Sequence, residues 1–191
     1  MSRRVRAQLA LLTTLAAVAL AGCAGQARPD GAAIVNLQVV PTATYQLLVS
    51  SAQRRIESSG LQVDWDSRQG RSRLREIQAQ ALRLAVRDTV IEQLAPERGV
   101  SVGDADVDEA LRALERVAGG SEQLDQRLEL EGLSRPQYRT LLRDTLLDRE
   151  LRARDPHYDQ RLADALRRAA VQAFVGPCAA DHRYPRCVDG R

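Results

Sequence analysis

The sequence has no lysine and very few aromatic side chains. All 28 basic residues are arginine, and Phe, Trp and Tyr together make up 3% of the 191 residues. Leucine and alanine dominate the apolar content instead, which favours packed helices over a sandwich of sheets, because strands are enriched in aromatic and β-branched residues. We attribute the absence of lysine to a GC-rich coding bias and not to a recognition surface.

The chain also lacks a recognisable arrangement of catalytic residues. His157 and His182 have no serine or cysteine partner in a triad pattern, and no glycine-rich loop of the phosphate-binding kind occurs. The acids of residues 104–115 are spaced like those of a calcium loop, but Glu109 stands where that loop requires glycine. They fit the first turns of a helix better. The sequence therefore predicts no enzyme activity, no cofactor and no metal site.

No apolar run is long enough to span a membrane, but a short one opens the chain. An arginine-rich start precedes about 14 largely apolar residues, fewer than the ~20 that a span needs. The run ends in Leu20, Ala21, Gly22 and Cys23, which resembles the lipobox of bacterial lipoproteins. We therefore predict a signal peptide at residues 1–22 and lipidation of Cys23. The alternative is an ordinary cleaved signal followed by an incidental cysteine.

Removal of this leader changes the charge of the protein and sets its location. The net charge of +3 is carried entirely by Arg3, Arg4 and Arg6, so the mature chain is neutral and gives no reason to expect nucleic acid as a partner. Residues 23–32 would form a lipidated tether to the membrane outside the cytoplasm. Ala24 follows the cysteine, so the outer membrane is the expected location if the host has two membranes.

Two cysteines remain after the tether is assigned. Cys178 and Cys187 are nine positions apart in a chain predicted to be exported, where disulfides form readily. A disulfide would close the tail, residues 176–191, into a loop. A metal site that includes His182 and a pair of free thiols are the alternatives, but these spacings do not match a structural zinc pattern.

Apolar residues recur at helical spacing through most of the mature chain. Ser134 and Gln137 form a capping-box pattern, and Pro96 is expected to end or kink the helix before it. Residues 61–70 show no helical period and are interpreted as a connection. We expect an all-α domain of five to six helices with a minor β element at 33–40. The predicted helices are residues 42–59, 71–95, 104–118, 122–131, 134–154 and 156–175.

The order of these segments is similar to a known family. Residues 99–108, which read GVSVGDADVD, closely resemble the turn that opens a helix in SurA-type N-terminal domains, and residues 121–143 resemble the stretch that follows it. Residues 34–45 resemble the family's opening. The family comprises export chaperones and foldases, often with a parvulin prolyl-isomerase domain. The resemblance implies a SurA-N-like domain, residues 33–175, that binds unfolded or secreted polypeptides.

Two departures from the family pattern affect the expectations. Asn36 and Leu37 stand where the family has Asn-Gly, and leucine disfavours the positive φ of a two-residue hairpin, so we predict a wider turn or no hairpin. The residues after Asp155 are interpreted as one helix and a disulfide loop, so we expect no parvulin domain and no isomerase activity.

The function predicted from these observations is a membrane-tethered, chaperone-like module that shields apolar segments of client polypeptides without catalysis. The alternative is a scaffold lipoprotein with one dedicated envelope partner. A chaperone should act on unrelated unfolded proteins, whereas a scaffold should not. Neither the oligomeric state nor the client-binding surface is specified by the sequence.

Overall fold

The computed structural model describes residues 31–189, in which helices surround one long central helix and a small sheet. The mostly helical fold with a minor β element agrees with the sequence prediction. Cys23 and the segment assigned to the signal peptide lie outside the described residues. The elements are β1 (Gly31–Val35), β2 (Gln38–Pro41), α1 (Thr42–Ser58), α2 (Arg68–Leu94), α3 (Asp104–Ala118), α4 (Ser121–Leu130), α5 (Arg135–Arg154), α6 (Tyr158–Arg168), β3 (Val171–Ala173) and α7 (Arg186–Asp189).

The sheet has three antiparallel strands in the order β2-β1-β3, so β1 is central. Ala33 of β1 pairs with Val40 on one side and with Ala173 on the other. The predicted last helix, residues 156–175, is therefore wrong beyond Arg168. Its final residues satisfy the second hydrogen-bonding edge of β1, a pairing between distant segments that helical periodicity does not report.

The turn between β1 and β2 also differs from the prediction. Asn36 and Leu37 have φ angles of 49° and 75°, so the hairpin has the two-residue turn that we expected leucine to prevent. Asn36 is fixed by Ala170, which accepts a hydrogen bond from the Asn36 backbone and donates one to its side chain, both at 2.9 Å. Leu37 is 95% exposed, so its side chain meets no packing constraint in this conformation.

The observed starts of α5 and α2 can be compared with the capping signals in the sequence, and the start of α2 differs from the prediction. The predicted capping box is present, with the Ser134 backbone donating to the Gln137 side chain at 2.8 Å. However, α2 begins at Arg68 and not at residue 71, because the Ser67 hydroxyl caps it by accepting from the Gly70 backbone at 2.9 Å. A Cβ atom at Gly70 would lie 1.9 Å from the Asp64 carbonyl oxygen, so the preceding connection requires glycine there.

Two hydrophobic clusters hold the fold together, and α5 belongs to both. The larger cluster surrounds α2 and includes Leu82 and Val86, with Leu147 and Leu151 from the second half of α5. The smaller cluster joins α3, α4 and the first half of α5, where Leu142 is buried. This double role places α5 between the α3–α4 pair and α2.

The C-terminal tail is fastened to the larger cluster. A disulfide joins Cys178 and Cys187, whose Cα atoms are 5.0 Å apart, and the Cys178 side chain is fully buried. Gly176 adopts a φ of 56° where the tail crosses α1, and a Cβ atom there would lie 2.4 Å from the Tyr45 hydroxyl oxygen. Arg83 of α2 donates a hydrogen bond to the Val188 carbonyl at 3.0 Å. The tail is thus part of the packed domain.

Candidate functional site

A surface cleft of about 420 Å³ lies between α1, α2 and α5. Its apolar lining includes Leu48 from α1, Ile77 and Leu84 from α2, Leu141 from α5, and Leu133 from the turn before α5. Leu84 is 41% exposed, which is unusual for a leucine on a helix that is otherwise central to the core. The cleft therefore offers accessible apolar surface with a volume in the range of ligand-binding pockets.

One stripe of α2 builds a wall of the cleft because its residues recur at helical spacing. Ile77, Ala81, Leu84 and Asp88 follow one another at intervals of four, three and four residues, so they share a face. The stripe changes from apolar to acidic between Leu84 and Asp88. On α5, Leu141 is likewise followed by Asp144 and Asp148, which line the same cleft as Asp88.

Asp148, on the α5 side of the cleft, has strong partners. Its carboxylate accepts hydrogen bonds from Arg87 and from the Tyr158 hydroxyl, both at 2.6 Å. Burial acts to raise the pKa of Asp148, but the Tyr158 hydrogen bond and the charges of Arg87 and Arg152 lower it below the ordinary value. Asp148 therefore remains ionised and holds Arg87 in place.

Asp144 and Asp88 are in a different situation. Asp144 makes no hydrogen bond or ion pair with any other side chain of residues 31–189, and burial together with the charges of Asp88 and Glu92 raises its pKa to about 7. Burial raises the pKa of Asp88 to about 6, although Arg87, 3.3 Å away, opposes this shift. These two carboxylates are poorly compensated within the described part of the chain, and we refer to them as the acidic wall.

The arginines that line the cleft neutralise the acidic wall only in part, because Arg87 pairs with Asp88 but Asp144 forms no ion pair within residues 31–189. Arg55 of α1 forms an ion pair with Glu131 at 3.1 Å and none with Asp144. Arg87 divides its guanidinium between Asp88 and the closer Asp148. The uncompensated charge in the cleft is consequently negative.

The residues singled out in the sequence do not form this site. Cys178 and Cys187 fasten the tail, and the His182 ring lies against the carbonyl oxygens of Ala173 and Cys178 at 2.9 and 3.0 Å. Cys23 lies outside the described residues. Within residues 31–189, no cluster of three or more His, Cys, Asp or Glu side chains has the arrangement of a metal site.

Sequence reasoning missed the cleft residues Leu84, Asp88 and Asp144. The only available signal was the wide apolar face of α2, which indicates contact with neighbours on several sides but does not show which part of that face stays open. Asp144 stands in a stretch of alternating acidic and basic residues, a pattern that is typical of a solvated, salt-bridged face. The folded chain was needed to show that Asp144 lines a cleft together with Asp88 and forms no ion pair within residues 31–189.

The sequence matches the model of a known protein family. The model of the family described as SurA-like N-terminal domain matches residues 1–152. This range contains α1, α2 and all of α5 except its last two residues, and hence every element of the cleft. No curated protein and no solved structure matches the chain. Among residues 31–189, no helix combines the length and apolar character needed to cross a membrane.

Proposed function

Because the chain belongs to the SurA-like N-terminal domain family, we propose that it is a chaperone-like module that binds unfolded or secreted polypeptides without catalysing a reaction. The observation that carries this proposal is the family match, which covers the whole cleft. The family's N-terminal domains are chaperone-type modules, and the cleft supplies this chain with an accessible apolar surface of suitable size.

The mechanism is passive shielding of a client segment. Leu84, Leu141 and the buried apolar floor would remove a client side chain from water, and full burial of one large apolar side chain contributes about 1.5–3 kcal/mol. Such modest contributions give weak, reversible binding. That behaviour suits a protein that holds unfolded chains and releases them to fold.

The module would act beside a membrane outside the cytoplasm. The lipobox-like residues around Cys23 support a lipid anchor, and the seven residues between Cys23 and Gly31 can extend at most about 25 Å. The cleft would therefore meet clients close to the membrane surface. Intact-mass analysis of the mature protein tests this part of the proposal, which predicts a chain that starts at an acylated Cys23.

Suppression of aggregation tests the function. The mature protein, residues 23–191, is added to two unrelated proteins diluted from denaturant, and light scattering is followed. We expect scattering to fall for both proteins, and the Leu84→Ser variant to be several-fold less effective because it removes apolar surface from the cleft. Leu130→Ser is the matched control, since Leu130 is 65% exposed on α4 outside the cleft.

Two results would contradict the proposal. If the wild-type protein suppresses neither aggregation, the module is not a general chaperone, and the scaffold alternative with one dedicated partner gains support. If Leu84→Ser and Leu130→Ser weaken suppression equally, the cleft is not where clients bind.

A further inference from the structure

The acidic wall gives the cleft a chemical preference that an apolar groove alone would lack. Asp144 is half-buried, lines the same cleft as Asp88, and forms no ion pair with a basic residue among residues 31–189. Two neighbouring carboxylates that are partly removed from water repel each other, and a bound cation would relieve this repulsion. An acidic client segment would increase it.

The occupant that fits this surface is a polypeptide segment with both apolar and basic side chains. A simple metal ion is a poorer match, because no group of three or more potential ligands comes together within residues 31–189. An arginine or lysine side chain can lay its aliphatic stem along apolar surface and place its charge beside a carboxylate. The cleft offers these two environments side by side.

The spacing of the two environments specifies the order of side chains in the client. Leu84 and Asp88 are four residues apart on α2, and Leu141 and Asp144 are three apart on α5, so in each case about one helical turn, ~5.4 Å, separates apolar from acidic groups. In an extended peptide, side chains two positions apart point to the same side and are ~6.6 Å apart. An apolar residue and a basic residue at this spacing would contact both environments.

We propose that the cleft selects extended client segments in which an arginine or lysine lies two positions from a large apolar residue, with Asp144 and Asp88 binding the basic group. This inference rests on the proposed function and names the class of client that the same cleft prefers. The charge complementarity between a basic side chain and the acidic wall supports it.

Peptide binding tests the preference. Three fluorescently labelled peptides of equal length carry Leu-Ser-Arg, Leu-Ser-Gln or Leu-Ser-Glu in a Gly/Ser background, and their anisotropy is titrated with the mature protein at pH 8. We expect the arginine peptide to bind about tenfold more tightly than the glutamine peptide, as for one charge-assisted contact, and the glutamate peptide to bind most weakly. A fourth peptide with Leu and Arg adjacent should lose most of the gain.

Variants of the protein assign the effect to the acidic wall. Asp144→Asn should reduce the preference for arginine over glutamine, measured as the ratio of the two dissociation constants, at least threefold. Glu129→Gln, which removes a charge from α4 outside the cleft, should retain the full preference. Melting curves establish that both variants are folded.

The outcomes separate the inference from the function on which it rests. Equal binding of the arginine and glutamine peptides, with both weakened by Leu84→Ser, would overturn the basic preference and leave the apolar cleft as a client site. A preference for arginine that survives in Asp144→Asn would also overturn it. If no peptide binds and aggregation is not suppressed, the proposed function and the inference both fail.

Discussion

Helix α5 contacts α3 and α4 on one side and α2 on the other, and the charged residues on these two sides differ in how they are paired. On the side facing α3 and α4, Arg135, Arg139 and Arg143 recur every fourth residue, and each forms an ion pair with an acidic residue on those helices. Arg135 alone bridges Glu115 at 2.5 Å and Asp125 at 2.8 Å. This interface is closed over the smaller hydrophobic cluster, and its charges are matched.

On the side facing α2, Asp148 of the same helix pairs with Arg87, but Asp144 lies near the acidic residues Asp88 and Glu92. Asp144 lies near Asp88 and has no basic partner among the described residues, and the leucines beside these acids line an open cleft. The fold pairs three arginines of α5 at the first interface, whereas at the second it pairs Asp148 with Arg87 but leaves Asp144 without an ion pair among the described residues. The comparison teaches that the α3–α5 interface serves stability, whereas the α2–α5 cleft is suited to an external partner.

Breaking the matched interface should give the largest change in stability. Arg135→Ala removes two ion pairs and leaves Glu115, whose side chain is 24% exposed, without its partner. We expect the free energy of unfolding, measured in urea, to fall by about 2 kcal/mol. Arg149→Ala is the control, because Arg149 is 68% exposed and, within residues 31–189, pairs only with its neighbour Glu150, so its removal should cost less than ~0.5 kcal/mol. Equal effects would show that the pairs on α5 are not structural.

Neutralising Asp144 on the α2 side should change the free energy of unfolding by a smaller amount, and in the opposite direction. Asp144→Asn is expected to raise the free energy of unfolding by about 1–2 kcal/mol at pH 8, since it removes a poorly compensated charge that solvent screens in part. Asp88 and Glu92 of α2 and Arg143 of α5 are the charged groups that act on Asp144. A loss of stability at pH 8 would mean that the Asp144 carboxylate has a stabilising partner.

The pH dependence of this gain follows from the direction of the pKa shift. The pKa of Asp144 is raised from 3.8 in the unfolded chain to about 7 in the folded one, so the folded state holds the proton more tightly. Ionisation of Asp144 therefore destabilises the folded wild type most above pH 7, and this cost decreases as the pH falls toward 4. The advantage of Asp144→Asn should accordingly shrink between pH 8 and pH 5 in the same urea experiment. A constant difference would contradict the assigned pKa.

The helices could be predicted from sequence because their signals are local. The capping box at Ser134 and the glycine at position 103 both mark helix starts correctly, and Pro96 follows the end of α2. Each signal depends on residues within one or two turns. The resemblance to the SurA-type domain added the order of these helices, and the family match confirms it.

The features that escaped prediction depend on residues far apart in the chain. Strand β3 forms because β1 offers a free edge, and the turn at Asn36 is held by Ala170, 134 positions away. The acidic wall is similar, since its two carboxylates come from α2 and α5. Periodicity shows that a helix has an apolar face but does not show which part of that face a neighbour covers.

Site-specific photo-cross-linking tests the central claim that clients bind between α1, α2 and α5. A photoreactive phenylalanine analogue is placed at position 84 or at position 130 of the mature protein, and each variant is irradiated with a radiolabelled unfolded client. The account predicts strong cross-links from position 84 and only background from position 130. Cross-links of equal yield at both positions, or from position 130 alone, would contradict it.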